Sequence, residues 1–129
     1  MPVAEGLQVP FDNHDAIRAD YLEVIDYDGD PQDIVYDTTE FSAVCPFSGL
    51  PDIGQLTITY IPKKAIVELK SLKYYLISYR NVGIYQEAAT DRLCKDLFAL
   101  LDPTYLEIRT IYNTRGGIDT TCTMRKGQR

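Results

Sequence analysis

The stretch Phe41-Ser42-Ala43-Val44-Cys45-Pro46-Phe47-Ser48-Gly49-Leu50-Pro51-Asp52 sets a cysteine and an aspartate seven residues apart in a segment braced by two prolines and a glycine. Loops braced in this way hold side chains in fixed positions, and functional residues favour them. A cysteine thiolate attacks an electrophilic carbon, and a neighbouring carboxyl group supplies or collects protons. Forming the thiolate requires positive charge or backbone N–H groups nearby. The plain alternative is a buried structural cysteine beside a turn aspartate.

Anion chemistry has three further candidate positions. In Glu68-Leu69-Lys70-Ser71-Leu72-Lys73-Tyr74-Tyr75, Lys70 and Lys73 stand three apart and share one face of a helix. Ser71 is suited to capping near the helix start, and a helix N-terminus with two ammonium groups suits a phosphate. Two solvated lysines on an outer helix face are the simpler reading. Arg115-Gly116-Gly117 would present backbone N–H groups beside a guanidinium to a phosphate, or would be only a hairpin turn. Gln86-Glu87 opens a helical stretch, where a Glu benefits from the helix dipole. A carboxylate facing a guanine-like edge would also accept two N–H bonds, a second reason for Glu87.

Other chemistries are disfavoured. The three cysteines Cys45, Cys94 and Cys122 form no C-x-x-C pair, and His14 is the single histidine. A protein-only zinc site, a disulfide framework and Ser-His-Asp or Cys-His catalysis are therefore not expected, unless His14 were the base. Cys94 and Cys122 read as small core or flank residues. Of the net charge of −6, residues 1–40 carry eleven acids against Arg18 alone, while residues 41–129 carry eight acids against twelve Lys and Arg. That balance makes no nucleic-acid footprint, but it leaves room for a small phosphate-bearing ligand. No run reaches the roughly 18 apolar residues of a membrane span, and Met1 to Asp20 has no basic head followed by an apolar stretch, so the chain reads as cytoplasmic.

The elements that must position these residues follow from periodicity. Residues 1–40 read as an acidic leader with a short strand at Tyr21-Leu22-Glu23-Val24-Ile25, and residues 41–129 as a single domain. Ile53 to Ile61 alternates, with Leu56, Ile58 and Tyr60 on one face. Pro62-Lys63-Lys64 turns into a partner strand at Ala65-Ile66-Val67. Leu69, Leu72, Leu76 and Tyr79 then recur at helical spacing, and Asn81-Val82-Gly83 ends the helix. A second helix runs from Ile84 to Leu101 and stops at Asp102-Pro103. Tyr105 to Tyr112 alternates again, and Ile118 to Met124 is the last strand. With both strand pairs read as hairpins, the expected fold is α+β: an antiparallel four-stranded sheet with two helices on one face. So small a unit buries little alone, which predicts an oligomer.

Taken together and in this order, the residues resemble one family, the NADPH-dependent 7-cyano-7-deazaguanine reductases, nitrile reductases of queuosine biosynthesis, in their short single-module form. The resemblance spans Phe41 to Arg125. It rests on Val44-Cys45-Pro46-x-x-Gly49-x-Pro51-Asp52, Glu68 to Tyr75, Ser78-Tyr79-Arg80-Asn81, Glu87, Asp102-Pro103 and Arg115-Gly116-Gly117. It implies the tunnelling fold shared with GTP cyclohydrolase I, assembled into rings with active sites between subunits, here a decamer of two pentameric rings. It further implies that Cys45 adds to the nitrile carbon to give a covalent thioimide, with Asp52 as proton donor and acceptor. Two NADPH would each deliver a hydride, giving 7-aminomethyl-7-deazaguanine. Val67, Glu68 and Leu69, with Gln86 and Glu87, would hold the deazaguanine. Lys70, Ser71, Lys73, Arg115 and Gly116 would meet the cofactor's phosphates.

The family usually has His-Glu where this chain has Gln86-Glu87, and a glutamine exchanges no proton near neutral pH. Three rivals stand beside this reading. An archaeal amidinotransferase-like relative attacks the same nitrile without NADPH, and the intact Lys70-Ser71-Leu72-Lys73 stretch argues against it. A zinc-type GTP cyclohydrolase I lacks its histidines here. A non-catalytic purine-binding or assembly protein of the same fold would leave Cys45 inert.

Overall fold

Two alternating segments form the middle of the main sheet. In the computed structural model, which describes residues 2–129, these are β3 (Pro51–Ile61) and β5 (Tyr105–Tyr112). They pair antiparallel with Leu56 opposite Thr110, Ile58 opposite Ile108 and Tyr60 opposite Leu106, so one face of both strands is buried. The remaining elements are β1 (Val24–Asp26), β2 (Ile34–Val44), β4 (Ala65–Val67), α1 (Leu69–Ile77), α2 (Gln86–Leu101) and β6 (Thr121–Gly127), with short 3-10 turns at His14–Ala16 and Ala19–Tyr21. The main sheet has the order β2-β3-β5-β6, antiparallel throughout, with α2 lying across β5 and β6 and α1 against β2. This is the expected α+β class.

The first expected hairpin does not form. Ala65–Val67 pairs with Val24–Asp26 in a separate two-stranded sheet, because β3 already has β2 on one side and β5 on the other and offers no free edge. The second hairpin, β5 with β6, does form. The fourth strand of the main sheet is instead β2, which begins at Ile34, inside the segment read as the acidic leader. Its alternation is interrupted by one extra residue between Thr38 and Phe41, where the register shifts. Ile34, Tyr36 and Thr38 are half-buried before the bulge, and Phe41 and Ala43 are buried after it, so the inward positions change parity and no single period-2 pattern runs through the strand.

In α2, Gln86, Ala89, Thr90, Leu93, Cys94, Leu97 and Leu101 form the buried stripe of an amphipathic helix. Asp102 closes it in a left-handed conformation (φ +43°), and Pro103 prevents continuation. Between helices and sheet, Phe41 packs on Tyr79 and Tyr112 with ring centroids 5.3 and 6.5 Å away. The phenols of Tyr60, Tyr75 and Tyr79 are paired. Tyr75 donates to Asp96, which also accepts from Arg92, and Tyr75 and Tyr79 share a hydroxyl bond of 2.8 Å. Tyr60 Oη bonds Tyr36 Oη and accepts from the Val67 N–H, joining the small sheet to the large one. Among the described residues no helix is long and apolar enough to cross a membrane.

Candidate active site

The cysteine loop is a closed circuit of backbone bonds. The Cys45 N–H donates to Leu50 O at 2.9 Å, the Gly49 N–H donates to Cys45 O at 2.8 Å, and the Val9 N–H holds Ser48 O at 3.1 Å. Gly49 sits at φ +75°, and a Cβ there would lie 2.1 Å from Val9 O, so this turn requires glycine. The circuit aims the N–H groups of Ser48 and Phe47, and then the Ser48 hydroxyl, at the Cys45 sulfur. Together they hold the half-buried thiol below its ordinary pKa, and the Arg115 guanidinium adds to the effect. Cys94 and Cys122 are shifted the opposite way by burial. Of the three thiols, Cys45 is the one whose surroundings favour the thiolate form.

Asp52, the second residue of β3, is 7% exposed. Its Oδ1 faces the guanidinium of Arg115, which also donates to Pro51 O at 3.3 Å. The Arg115 side chain remains 55% exposed. A cleft of about 250 Å³ gathers Cys45, Asp52, Gln86, Glu87 and Arg115, together with Tyr85, Tyr112, Asn113, Ile118 and Thr120. Five of the residues picked from the sequence thus converge.

Gln86, 8% exposed, turns its amide nitrogen into the scaffold: Nε2 donates to Thr110 O, Thr110 Oγ1 and Thr120 O at 3.1, 3.1 and 3.0 Å. It thereby fastens the start of α2 to β5 and to the residue before β6. Glu87, the next residue, is exposed in the first turn of α2, where the helix dipole favours its charge. The sequence reading missed Tyr112, Tyr85, Asn113 and Thr120. Of these only Tyr112 carries a sequence signal, since it continues the inward alternation of Leu106, Ile108 and Thr110 to the end of β5.

The other expected site residues line different clefts of the same chain. Glu68, Lys70 and Ser71 border a cleft of about 430 Å³ with Tyr21, Glu23 and Tyr74. Leu69 and Lys73 border a groove of about 440 Å³ that includes Tyr36, Phe41 and Arg80. Val67 is buried in the core. The Glu68 carboxylate caps α1 by accepting the N–H groups of Lys70 and Ser71 at 2.8 and 3.0 Å. The Ser71 hydroxyl donates to Glu68 O and accepts from the Glu23 N–H, so it is engaged internally. Lys70 and Lys73 are exposed and enter no ion pair among the described residues. At Gly116 (φ +56°) an added Cβ would meet nothing within 4 Å among the described residues. In one chain Lys70 and Lys73 thus border different clefts, and the Ser71 hydroxyl has its bonds already.

A cysteine with a lowered thiol pKa sharing a cleft with a buried carboxylate, on an antiparallel α+β scaffold with exposed lysines at a helix start, defines a thiol-nucleophile enzyme that takes an anionic co-substrate. The model of the QueF-like protein family matches residues 51–129. NADPH-dependent 7-cyano-7-deazaguanine reductases of Thermotoga petrophila and Thermotoga maritima are each 59% identical over 125 residues, covering 96% of this chain and 91% of theirs. The reductase of Caldicellulosiruptor bescii is 51% identical over 109 residues, 83% of either chain. The fold is shared with the crystal structure of the archaeosine synthase QueF-Like in the apo form, at a TM-score of 0.72 and 23% identity over 78% of this chain and 98% of that one. The chain belongs to the QueF-like family of NADPH-dependent 7-cyano-7-deazaguanine reductases.

Proposed function

We propose that this protein reduces the nitrile of 7-cyano-7-deazaguanine to the primary amine of 7-aminomethyl-7-deazaguanine with NADPH, a step of queuosine tRNA modification. The observation that carries the reading is the Cys45 thiol, ringed by N–H donors, in one cleft with the buried carboxylate of Asp52. Asp52 takes the thiol proton as Cys45 Sγ bonds to the nitrile carbon. The displaced π electrons go to the nitrile nitrogen, and Asp52 returns the proton there, leaving a thioimide with charge balanced. Bound NADPH supplies hydride, and nitrile to amine needs four electrons, hence two equivalents. The N–H groups of Phe47 and Ser48 stabilise the sulfur again when the C–S bond breaks. Glu87 accepts N–H bonds from the deazaguanine edge, and Gln86 keeps the start of α2 in place beneath it.

Val67, Glu68, Leu69, Lys70, Ser71 and Lys73 lie away from the Cys45 cleft in one chain. We assign them to a cleft completed by a neighbouring copy, with a decamer of two pentameric rings as the assembly. Exposed Leu69, Ile77, Val35 and Ile53 supply apolar contact area for it. All ten residues lining the Cys45 cleft come from 41–129, which we assign as the catalytic domain, while residues 1–40 brace it through Val9 and the start of β2 and place Tyr21 and Glu23 beside Lys70. A nucleophilic thiol that must stay reduced, together with NADPH, supports a cytoplasmic enzyme.

The test follows NADPH absorbance on mixing the protein with 7-cyano-7-deazaguanine. The expected result is two NADPH oxidised per amine formed, abolished in Cys45→Ala, and a mass increase on Cys45 when NADPH is withheld. An amidine product without NADPH oxidation would overturn the reading.

A further inference from the structure

Tyr112 ends β5 on the buried face of the sheet, directly opposite Gly54 of β3. A Cβ on Gly54 would stand 2.7 Å from Tyr112 Cδ1 and 2.6 Å from Ile111 O, so glycine at this position leaves space for the phenol ring. Asp52 lies two residues before Gly54 and shares its face. The ring is thereby brought to the wall of the Cys45 cleft, beside Asp52, Gln86 and Glu87.

Tyr112 is 7% exposed, yet its hydroxyl has no hydrogen-bond partner among the described residues. Buried hydroxyls are rarely left so, because an unmade bond forfeits the desolvation cost of the group. The other deeply buried phenols, Tyr60, Tyr75 and Tyr79, all have partners. Burial, with Cys122 and Glu87 nearby, pushes the Tyr112 phenol up, so it keeps its proton and acts as a donor.

We propose that Tyr112 is a substrate-binding residue whose hydroxyl donates a hydrogen bond to the bound deazapurine. The inference rests on the nitrile-reductase reading and adds a contact to it. The experiment compares Tyr112→Phe with its parent in two backgrounds. In a Cys45→Ala background, calorimetric titration with 7-cyano-7-deazaguanine should show binding weakened about tenfold, the size of one hydrogen bond to a polar ligand. In the otherwise native enzyme, KM for the nitrile should rise similarly while KM for NADPH and the oligomer size stay unchanged. The melting temperature should hold or rise, because the substitution removes an unpaired buried hydroxyl. Unchanged affinity for the deazapurine overturns the proposal, whatever water the hydroxyl meets in its absence. Weakened affinity accompanied by a smaller oligomer also overturns it, since the partner would then belong to a neighbouring subunit. If the native enzyme binds the nitrile but oxidises no NADPH, the reductase reading fails while the titration still decides the role of Tyr112. No binding at all by the Cys45→Ala parent refutes both.

Discussion

Gln86 is the residue at which the expected His-Glu pair is not met, and the structure gives it a scaffold role that a single variant tests. Gln86→Leu keeps the side-chain volume, so the cavity contribution is small, but it removes the Nε2 donor from Thr110 O, Thr110 Oγ1 and Thr120 O. Two N–H groups serve these three acceptors, one of them shared. At about 1 kcal/mol net for each N–H bond, the loss is roughly 2 kcal/mol, rising toward 3 if Thr110, which is fully buried, is left short of a partner. For a domain of this size, each kcal/mol moves the melting temperature by about 3–5 °C, which predicts a fall of roughly 6–15 °C. The assay is a thermal melt at fixed protomer concentration, since assembly contributes to apparent stability, paired with kcat and KM across pH. Activity should drop through a higher KM as Glu87 loses its fixed position, with the shape of the pH–rate profile unchanged, because an amide titrates nowhere in the working range. An unaltered melting temperature combined with abolished turnover would refute the reasoning and move Gln86 from scaffold to chemistry.

Alkylation of Cys45 by iodoacetamide should show a pH midpoint below that of an ordinary thiol, because N–H donation from Ser48 and Phe47 stabilises the thiolate. Arg115→Gln should raise that midpoint only slightly, since Arg115 is the weakest contributor, and a midpoint at or above about 8.5 in the native protein would contradict the nest. Cys94, buried in α2, should resist alkylation until the chain unfolds, as peptide mapping would reveal. Gly49→Ala should cost at least about 2 kcal/mol, from a left-handed backbone and a Cβ driven against Val9 O, and should abolish the low alkylation midpoint as the loop moves. A variant with native melting temperature and native alkylation would show that the loop tolerates a side chain.

Most of the local structure was legible because its signals are local. The stripe from Ala89 to Leu101, closed by Asp102-Pro103, needs only helical periodicity and a left-handed stop to be read. The inward sets Leu56, Ile58, Tyr60 and Leu106, Ile108, Thr110 need only a period of two. The edge strand β2 escaped because its bulge changes the parity of the inward residues and because Asp37 and Glu40 give it the composition of its acidic surroundings. The partner of Ala65–Val67 escaped for another reason: which strand has a free edge depends on the whole sheet, and no neighbouring residue encodes it.

The same division runs through the site. Residue types and spacing alone identified a thiol able to attack an electrophilic carbon, a carboxylate able to move protons, lysines three apart on a helix, and a glycine-rich turn with an arginine, since nucleophilicity, acidity and charge belong to the side chains themselves. Only the tertiary structure decided that Arg115, 63 residues beyond Asp52 in the chain, would face its carboxylate. It likewise turned the Gln86 amide into the sheet and set Ser71 to brace α1. It also set the ring of Tyr112, whose hydroxyl is unpaired, at the wall of the cleft through the space left at Gly54. Burial and hydrogen-bond partnership are properties of packing, and packing is a relation between segments that the order of residues along the chain does not display.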